Sequence, residues 1–200
     1  MKAAVGDSFT YGEELTDRST AWPTLLGYEN HGLPGASNEY IFRTAVELAP
    51  TCTHMIVAWS ECTRHEVYTH QPVTVHQHKQ FQGLIQTNSR WTELQWFREL
   101  YANYTQEEHQ FTRTLTYMVA LQSYLDVNNV DWRYCSAFSN QQMFVKYSTH
   151  PLLDRLNRER FIGYPSDGMV EWAYETPRGP GGHPLEYGHQ RIAQAIAKHL

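Results

Sequence analysis

The sequence has few cysteines, no long apolar run and no excess of basic charge. Its three cysteines among 200 residues show no Cys-x-x-Cys spacing, which indicates free thiols rather than a disulfide framework. No apolar run approaches the roughly 18 residues of a membrane span, and the amino terminus lacks the apolar segment of a secretory signal. Lys and Arg total 16 and Asp and Glu total 21, a net charge of −5, so a basic surface for nucleic acid or anionic lipid is not expected. We therefore predict a cytoplasmic protein without nucleic-acid or membrane partners, and leave its oligomeric state open.

The composition is that of a folded, globular protein. Apolar residues make up 41% of the chain and charged residues 18%, and the mean hydropathy is −0.58. A chain of this length can bury a core without disulfides. Because no repeat, low-complexity tract or Gly/Ser linker divides it, we expect residues 1–200 to form a single domain, with a helical or irregular insertion at about residues 65–110.

Short buried strands alternate with amphipathic helices along the chain. This alternation predicts a three-layer α/β/α sandwich with a mainly parallel sheet. The predicted strands cover residues 2–7, 54–59 and 130–138, and the predicted helices cover residues 21–28, 38–49, 91–104, 108–127 and 185–200. Residues 65–90 are polar and lack a period, which predicts an irregular segment.

The first strand ends in the turn Gly6-Asp7-Ser8. In open α/β sheets, ligands bind beyond the carboxyl ends of the strands, where loops lead into helices. A serine in such a turn is exposed, and its backbone N–H is free to stabilise an oxyanion. An ordinary helix N-cap is the alternative interpretation of the same pattern.

A histidine near the carboxyl terminus is the candidate base. Gly181-Gly182-His183-Pro184 precedes the last predicted helix, so His183 is held in a loop and accessible, as a general base must be. His189 lies inside the helical pattern and is expected to serve packing or capping.

Together these motifs resemble the SGNH (GDSL-type) hydrolase superfamily. Gly6-Asp7-Ser8 resembles its first block, residues 32–38 its second and His183-Pro184 its last, and the similarity extends through residues 9–15 and 21–26. It covers both ends of the chain and the region to about residue 64. The sequence of these blocks most resembles that of virus-encoded members from tailed phages. That resemblance implies the host cytoplasm or the virion as the location.

The resemblance implies an SGNH, flavodoxin-like fold and a serine esterase that needs no cofactor or metal. Ser8 would be the nucleophile and His183 the base, and the N–H groups of Ser8 and Gly35 would bind the oxyanion. The expected substrate is a small acyl ester, with an acetyl group on a carbohydrate as an example.

The third block departs from the family pattern. Where the family has Gly-x-Asn-Asp, this chain has Ala58-Trp59-Ser60-Glu61, so the asparagine that donates to the oxyanion is missing. Ser60 through its hydroxyl, or Asn38 from the second block, would have to replace it. Asn38, Glu61 and Arg64 are predicted to line the substrate pocket.

The last block lacks the family's acid, which normally lies three residues before the histidine. That position is Pro180. Either Asp167, Glu171 or Glu175 reaches in from the preceding loop, or a backbone carbonyl orients His183 and leaves a Ser-His dyad.

Two other functions remain open at this stage. The missing asparagine and acid are compatible with a catalytically silent SGNH-fold binding or structural protein, such as a phage accessory or virion protein. A metal-dependent hydrolase would use His65, His70, His76 and His78, but the i, i+5 spacing of His65 and His70 does not fit a zinc helix. We expect no metal site, and these histidines are predicted to be solvated.

Overall fold

The computed structural model describes residues 1–75, 79–87, 95–99, 102–103, 106–138 and 141–200. Its strands, in chain order, are β1 (Lys2–Gly6), β2 (Glu29–Gly32), β3 (His54–Trp59), β4 (His65–Val75), β5 (Lys79–Thr87) and β6 (Asp131–Ser136). Its helices are α1 (Ser8–Tyr11), α2 (Trp22–Leu25), α3 (Asn38–Leu48), α4 (Gln95–Glu99), α5 (Glu107–Val127), α6 (Gln141–Lys146), α7 (Met169–Trp172) and α8 (Glu186–Ala197).

The central sheet has four parallel strands in the order β2-β1-β3-β6. The chain passes from β1 to β2 on one side and then crosses to β3 on the other side of β1. The carboxyl ends of β1 and β3 therefore flank the point where the connections diverge, which is where ligands bind in sheets of this kind.

At the central strands β1 and β3 both faces of the sheet are buried, and consecutive strand residues alternate between two cores. In β1, Ala3 and Val5 belong to one apolar cluster and Ala4 to the other. In β3, Val57 belongs to the first cluster and Ile56 to the second. This alternation follows from the period of two along a strand, and burial on both sides explains why β1 and β3 are largely apolar.

Helices cover the two faces. The helices α3 and α5 pack on the first, through residues such as Ile41 and Leu115. Helix α8 packs on the second through Ile192 and Ile196, together with α2 and α7. The sequence specifies α3 locally, because Ser37 caps its first turn by accepting the N–H of Tyr40. The predicted three-layer α/β/α arrangement is confirmed.

Most predicted elements lie where the sequence placed them, but residues 65–90 differ. The expectation of an irregular segment was wrong, because β4 and β5 form an antiparallel pair with a register shift between Thr69 and Val73. A partly polar two-stranded ribbon lacks the clear apolar period by which strands are recognised. Of the helix predicted at residues 91–104, the structure describes α4 and residues 102–103, and the other positions lie outside the described residues.

No helix among the described residues is long and apolar enough to cross a membrane.

Candidate active site

The turn after β1 holds Ser8 at the start of α1. Asp7 caps this short helix by accepting the N–H of Phe9 at 3.0 Å. Ser8 is only 2% exposed, so the expectation of an exposed serine was wrong. Within the described ranges its hydroxyl makes no hydrogen bond, and its N–H has no acceptor. The N-cap interpretation is therefore correct for Asp7, and it leaves the Ser8 N–H available as a donor.

The acid that contacts His183 is Glu14, a residue that the sequence motifs did not indicate. Glu14 Oε2 lies 2.9 Å from His183 Nδ1 and accepts the His183 N–H at 3.0 Å. Glu14 Oε1 accepts the Gly181 N–H at 2.6 Å. One carboxylate from the loop after Ser8 thus orients both the ring and the backbone of His183.

The glycines before His183 make room for this carboxylate. A Cβ atom on Gly179 would lie 2.6 Å from the Glu14 carboxyl carbon, and one on Gly181 would lie 3.1 Å from Oε2. Side chains at these positions would push the carboxylate away. The Gly179-Pro180-Gly181-Gly182 run therefore forms a backbone cradle for Glu14.

The three acids of the preceding loop, Asp167, Glu171 and Glu175, do not contact His183. Glu171 accepts the N–H of Gly168, at the start of α7. Asp167 and Glu175 make no hydrogen bond or ion pair with His183 in the described parts of the chain. A dyad oriented by a backbone carbonyl is also not what the structure shows, since Nδ1 faces Glu14. The available signal was a glycine-rich loop without an acid, together with an unassigned Glu13-Glu14 pair close behind Ser8.

Glu14 is held in an unusual conformation. Its φ is +70°, in the left-handed region that a residue other than glycine rarely adopts. Hydrogen bonding from the Gly181 N–H is the main reason that the pKa of Glu14 is lowered, and the His183 N–H and ring act in the same direction. The carboxylate is therefore ionised at neutral pH, as an acid that orients a histidine must be.

The other ring nitrogen of His183 faces Glu13. Nε2 lies 3.3 Å from Glu13 Oε2, and the side chain of Glu13 is 34% exposed. The ring also makes an edge contact with Phe9, with 5.8 Å between ring centroids. His183 thus lies beside the Ser8 turn, although its Nε2 points to Glu13 and makes no hydrogen bond to Ser8 in this structure.

Gly35 follows β2 in a turn that requires a positive φ, here +77°. The turn is closed by the N–H of Ala36, which donates to the carbonyl of Leu33. The N–H of Gly35 has no acceptor among the described residues. The two predicted backbone donors, on Ser8 and Gly35, are therefore both unpaired and both lie at the carboxyl edge of the sheet.

Ser60 and Asn38 do not supply the missing oxyanion donor. The Ser60 hydroxyl donates to Asp7 at 2.7 Å, and the Ser60 N–H donates to Asn38 Oδ1 at 2.8 Å. The Asn38 amide nitrogen donates to the Ser60 carbonyl and to Thr114. Both side chains are buried and already paired, so they hold the end of β3 in place. The predictions that Ser60 donates to the oxyanion and that Asn38 contacts substrate are not supported.

Arg64 is likewise buried rather than lining a pocket. Its side chain is 6% exposed and its Nη1 lies 3.2 Å from Asp7 Oδ2. Burial raises the pKa of Asp7, and the Arg64 charge opposes that rise. Glu61 is partly exposed, and its carboxylate lies 4.0 Å from Arg64 Nε. Of the three residues expected to line the pocket, Asn38 and Arg64 are buried and Glu61 is partly exposed.

Among the described residues, no group of three or more His, Cys, Asp or Glu could hold a metal ion. His65 contacts the Arg113 guanidinium, and burial is the main reason that its pKa is lowered to about 4. Its partly buried position also differs from the expected solvation. His76 and His78 lie outside the described residues.

His189 is a packing residue, as the sequence predicted. It is fully buried in α8, and its Nδ1 accepts the N–H of Trp22 at 3.2 Å. Burial lowers its pKa to about 4. It therefore ties the start of α2 to α8 as a neutral ring.

No family model matches the chain, and no curated protein matches it. Among solved structures it resembles TesA, with a TM-score of 0.54 and 10% identity over 100% of this chain and 97% of that one. It also aligns with a member of the lipolytic protein G-D-S-L family from Veillonella parvula DSM 2008, with a TM-score of 0.49 and 10% identity over 98% and 96% of the two chains. At this identity the likeness to TesA shows a shared fold and nothing further. The predicted phage origin and cytoplasmic location stay predictions.

Proposed function

We propose that this chain is an SGNH-type serine esterase that hydrolyses small acyl esters. The observation that carries the proposal is the contact between His183 Nδ1 and the Glu14 carboxylate. It supplies the acid that the last sequence block lacks, and it favours the tautomer in which Nε2 is free to accept a proton. A silent site would have no need for a glycine cradle around a carboxylate in a strained backbone conformation.

In the proposed reaction, the Ser8 oxygen attacks the ester carbonyl carbon while His183 Nε2 takes the serine proton. The carbonyl oxygen becomes an oxyanion and accepts hydrogen bonds from the N–H groups of Ser8 and Gly35. The intermediate collapses, the carbon–oxygen bond to the alcohol breaks, and His183 returns the proton to the departing oxygen. Water then hydrolyses the acyl-serine by the same steps in reverse.

The first step requires His183 to exchange one neighbour. Its Nε2 has to turn from Glu13 towards Ser8, while Nδ1 keeps its contact with Glu14. Catalytic hydrogen bonds are often long or misaligned before substrate binds. A substrate that contacts the exposed Glu13 carboxylate would release Nε2 for Ser8.

The proposed substrate is an acetyl ester, with a carbohydrate as the alcohol. The support is chemical: the partly exposed carboxylates of Glu13 and Glu61 lie at the site edge and can accept hydrogen bonds from sugar hydroxyls. Release of acetate from acetylated sugars, compared with release of long acyl chains, tests this preference.

Fluorophosphonate labelling tests the activated serine. Intact mass should show one adduct on the wild-type protein and none on Ser8→Ala. Ser19→Ala is a suitable control, because Ser19 is an exposed serine that hydrogen-bonds Asp17 away from His183. Equal labelling of Ser8→Ala and the wild type would overturn the assignment of Ser8.

A catalytically silent binding protein is the second candidate, favoured by two observations. Nε2 faces Glu13, and the Ser8 hydroxyl makes no hydrogen bond in the described part of the chain. On this hypothesis the wild-type protein would stay unlabelled while folded, and it would bind a carbohydrate without releasing acetate. Titration with acetylated sugars by calorimetry, alongside the labelling experiment, separates the two functions.

A further inference from the structure

The two proposed oxyanion donors belong to different loops. Ser8 follows β1 and Gly35 follows β2, and the N–H groups of both must point at one oxygen atom. Donors of this kind act only when their geometry is held to within about half an ångström. The third family donor, an asparagine after β3, is missing from this chain, so the alignment of the remaining two carries more of the catalysis.

Arg64 connects the two loops through one nitrogen atom. Its Nη1 donates to Asp7 Oδ2 at 3.2 Å and to the Ala36 carbonyl at 3.3 Å. Asp7 immediately precedes Ser8, and Ala36 immediately follows Gly35. A single buried guanidinium therefore holds the neighbours of both donors.

The acceptor on Asp7 is itself fixed from several sides. Asp7 Oδ1 accepts the N–H of Phe9, and Oδ2 accepts the Ser60 hydroxyl as well as Arg64. Asn38 pairs with both the N–H and the carbonyl of Ser60. These contacts join the loops after β1, β2 and β3 into one buried polar network.

The guanidinium also has an aromatic support. Its carbon atom lies 4.8 Å from the centre of the Phe138 ring, in the segment after β6. Phe138 in turn makes an edge contact with Phe9, with 5.1 Å between centroids. Such a stack restricts the guanidinium plane, so all four strands of the central sheet contribute to where Arg64 lies.

We propose that Arg64 is the positioning residue of the oxyanion site. By binding Asp7 and the Ala36 carbonyl together, it sets the separation and direction of the Ser8 and Gly35 N–H groups. In this chain it compensates for the missing asparagine by aligning donors rather than by donating to substrate. The inference rests on the proposed esterase function.

The replacement Arg64→Lys tests this role because it keeps the charge beside Asp7 but loses the planar guanidinium. We expect kcat to fall about 10- to 100-fold with KM within about threefold, since oxyanion contacts form fully only in the transition state. Affinity for a boronic acid that mimics the tetrahedral intermediate should fall in parallel with kcat/KM. Affinity for a non-hydrolysable amide analogue of the substrate should not change.

Arg133→Lys is the matched control. Arg133 also binds one carboxylate, Asp131, and two backbone carbonyls, of Trp132 and His199, away from the Ser8 turn. We expect this variant to keep its kcat. If Arg64→Lys does not fold, Ser60→Ala replaces it: that variant removes one hydrogen bond to Asp7 and should lower kcat several-fold with KM unchanged.

The outcomes separate this inference from the proposed function. A wild-type protein that neither hydrolyses esters nor reacts with fluorophosphonate overturns both. If the wild type is active, two results overturn the inference and leave the proposed function intact. One is an Arg64→Lys variant that keeps its kcat. The other is a variant whose KM rises and whose affinity for the amide analogue falls as much as its affinity for the boronic acid. Loss of kcat and boronic-acid affinity alone supports the alignment of donors.

Discussion

Two adjacent carboxylates with different roles define the site at the scale of single residues. Glu14 faces His183 Nδ1 and two backbone N–H groups, whereas Glu13 faces Nε2. A histidine that acts as a base needs a partner on Nδ1 and a free Nε2. The structure therefore assigns Glu14 a supporting position and Glu13 a competing one.

Replacing Glu14 should greatly lower the rate of the proposed reaction. For Glu14→Gln we expect kcat/KM to fall by about 10²–10⁴, because an amide leaves the His183 tautomer and the imidazolium unsupported. Steady-state hydrolysis of an acetyl ester measures the loss, and thermal unfolding checks that the fold persists. Activity near the wild-type level would mean that Glu14 serves the loop structure alone.

Glu13→Gln is the matched comparison, since it alters the neighbouring carboxylate and the other ring nitrogen. We expect kcat to stay within about threefold of the wild type or to rise, because removing the Glu13 charge weakens its hold on Nε2. Fluorophosphonate labelling rates compare the two variants directly. A loss as large as that of Glu14→Gln would contradict the distinction drawn between the two residues.

At the scale of elements, the site depends on a loop shaped to hold a side chain from the other end of the sequence. In the segment before α8, Glu14 occupies the space where side chains on Gly179 and Gly181 would be. The loops after β1, β2 and β3 are joined by Asp7, Ser60 and Arg64. Rigid strands set the positions of these loops, and buried polar contacts set their orientation.

Gly179→Ala should disturb this cradle, because the added Cβ would lie 2.6 Å from the Glu14 carboxyl carbon. We expect about a tenfold or greater loss of kcat with a modest loss of stability. Gly27→Ala is the control: its φ of +73° strains the variant, but nothing lies within 4 Å of the new atom. Similar kinetics for the two variants would indicate a general effect of loop strain.

At the scale of the whole molecule, two histidines link folding to pH. Burial lowers the pKa of both His189 and His65 to about 4, from 6.5. Between these values the unfolded chain binds protons that the folded chain does not. The free energy of unfolding should therefore fall as pH drops from about 6.5 towards 4, and should be unaffected by these groups above about pH 7.

The replacement His189→Asn tests how much His189 contributes to the pH dependence of stability. Asparagine can still accept the Trp22 N–H, but it does not titrate, so the variant should lose less stability on acidification. The difference in the fall of unfolding free energy between pH 7 and pH 4.5 should be about 2 kcal/mol. Urea unfolding at several pH values measures it. Parallel pH profiles for variant and wild type would show that His189 does not contribute.

The sequence alone determined the features that depend on local structure. Apolar strands and amphipathic helices predicted the sandwich because the periods of strand and helix are set by backbone geometry. The turn at Ser8 and the loop at His183 were readable because glycine and proline constrain a few adjacent residues. The ribbon at residues 65–90 was not, since its polar sequence has no clear period.

Only the tertiary structure decided which groups meet at the site. Glu14 and His183 are 169 positions apart, and nothing local to either residue indicates that the Glu14 carboxylate contacts the His183 ring. Arg64 was expected to line a pocket because it lies just past the strand at residues 54–59. Instead, the buried carboxylate of Asp7 makes pairing inside the protein favourable, because an unpaired buried charge is costly. Both outcomes depend on how the sheet brings the ends of separate strands together, which the order of residues along the chain does not state.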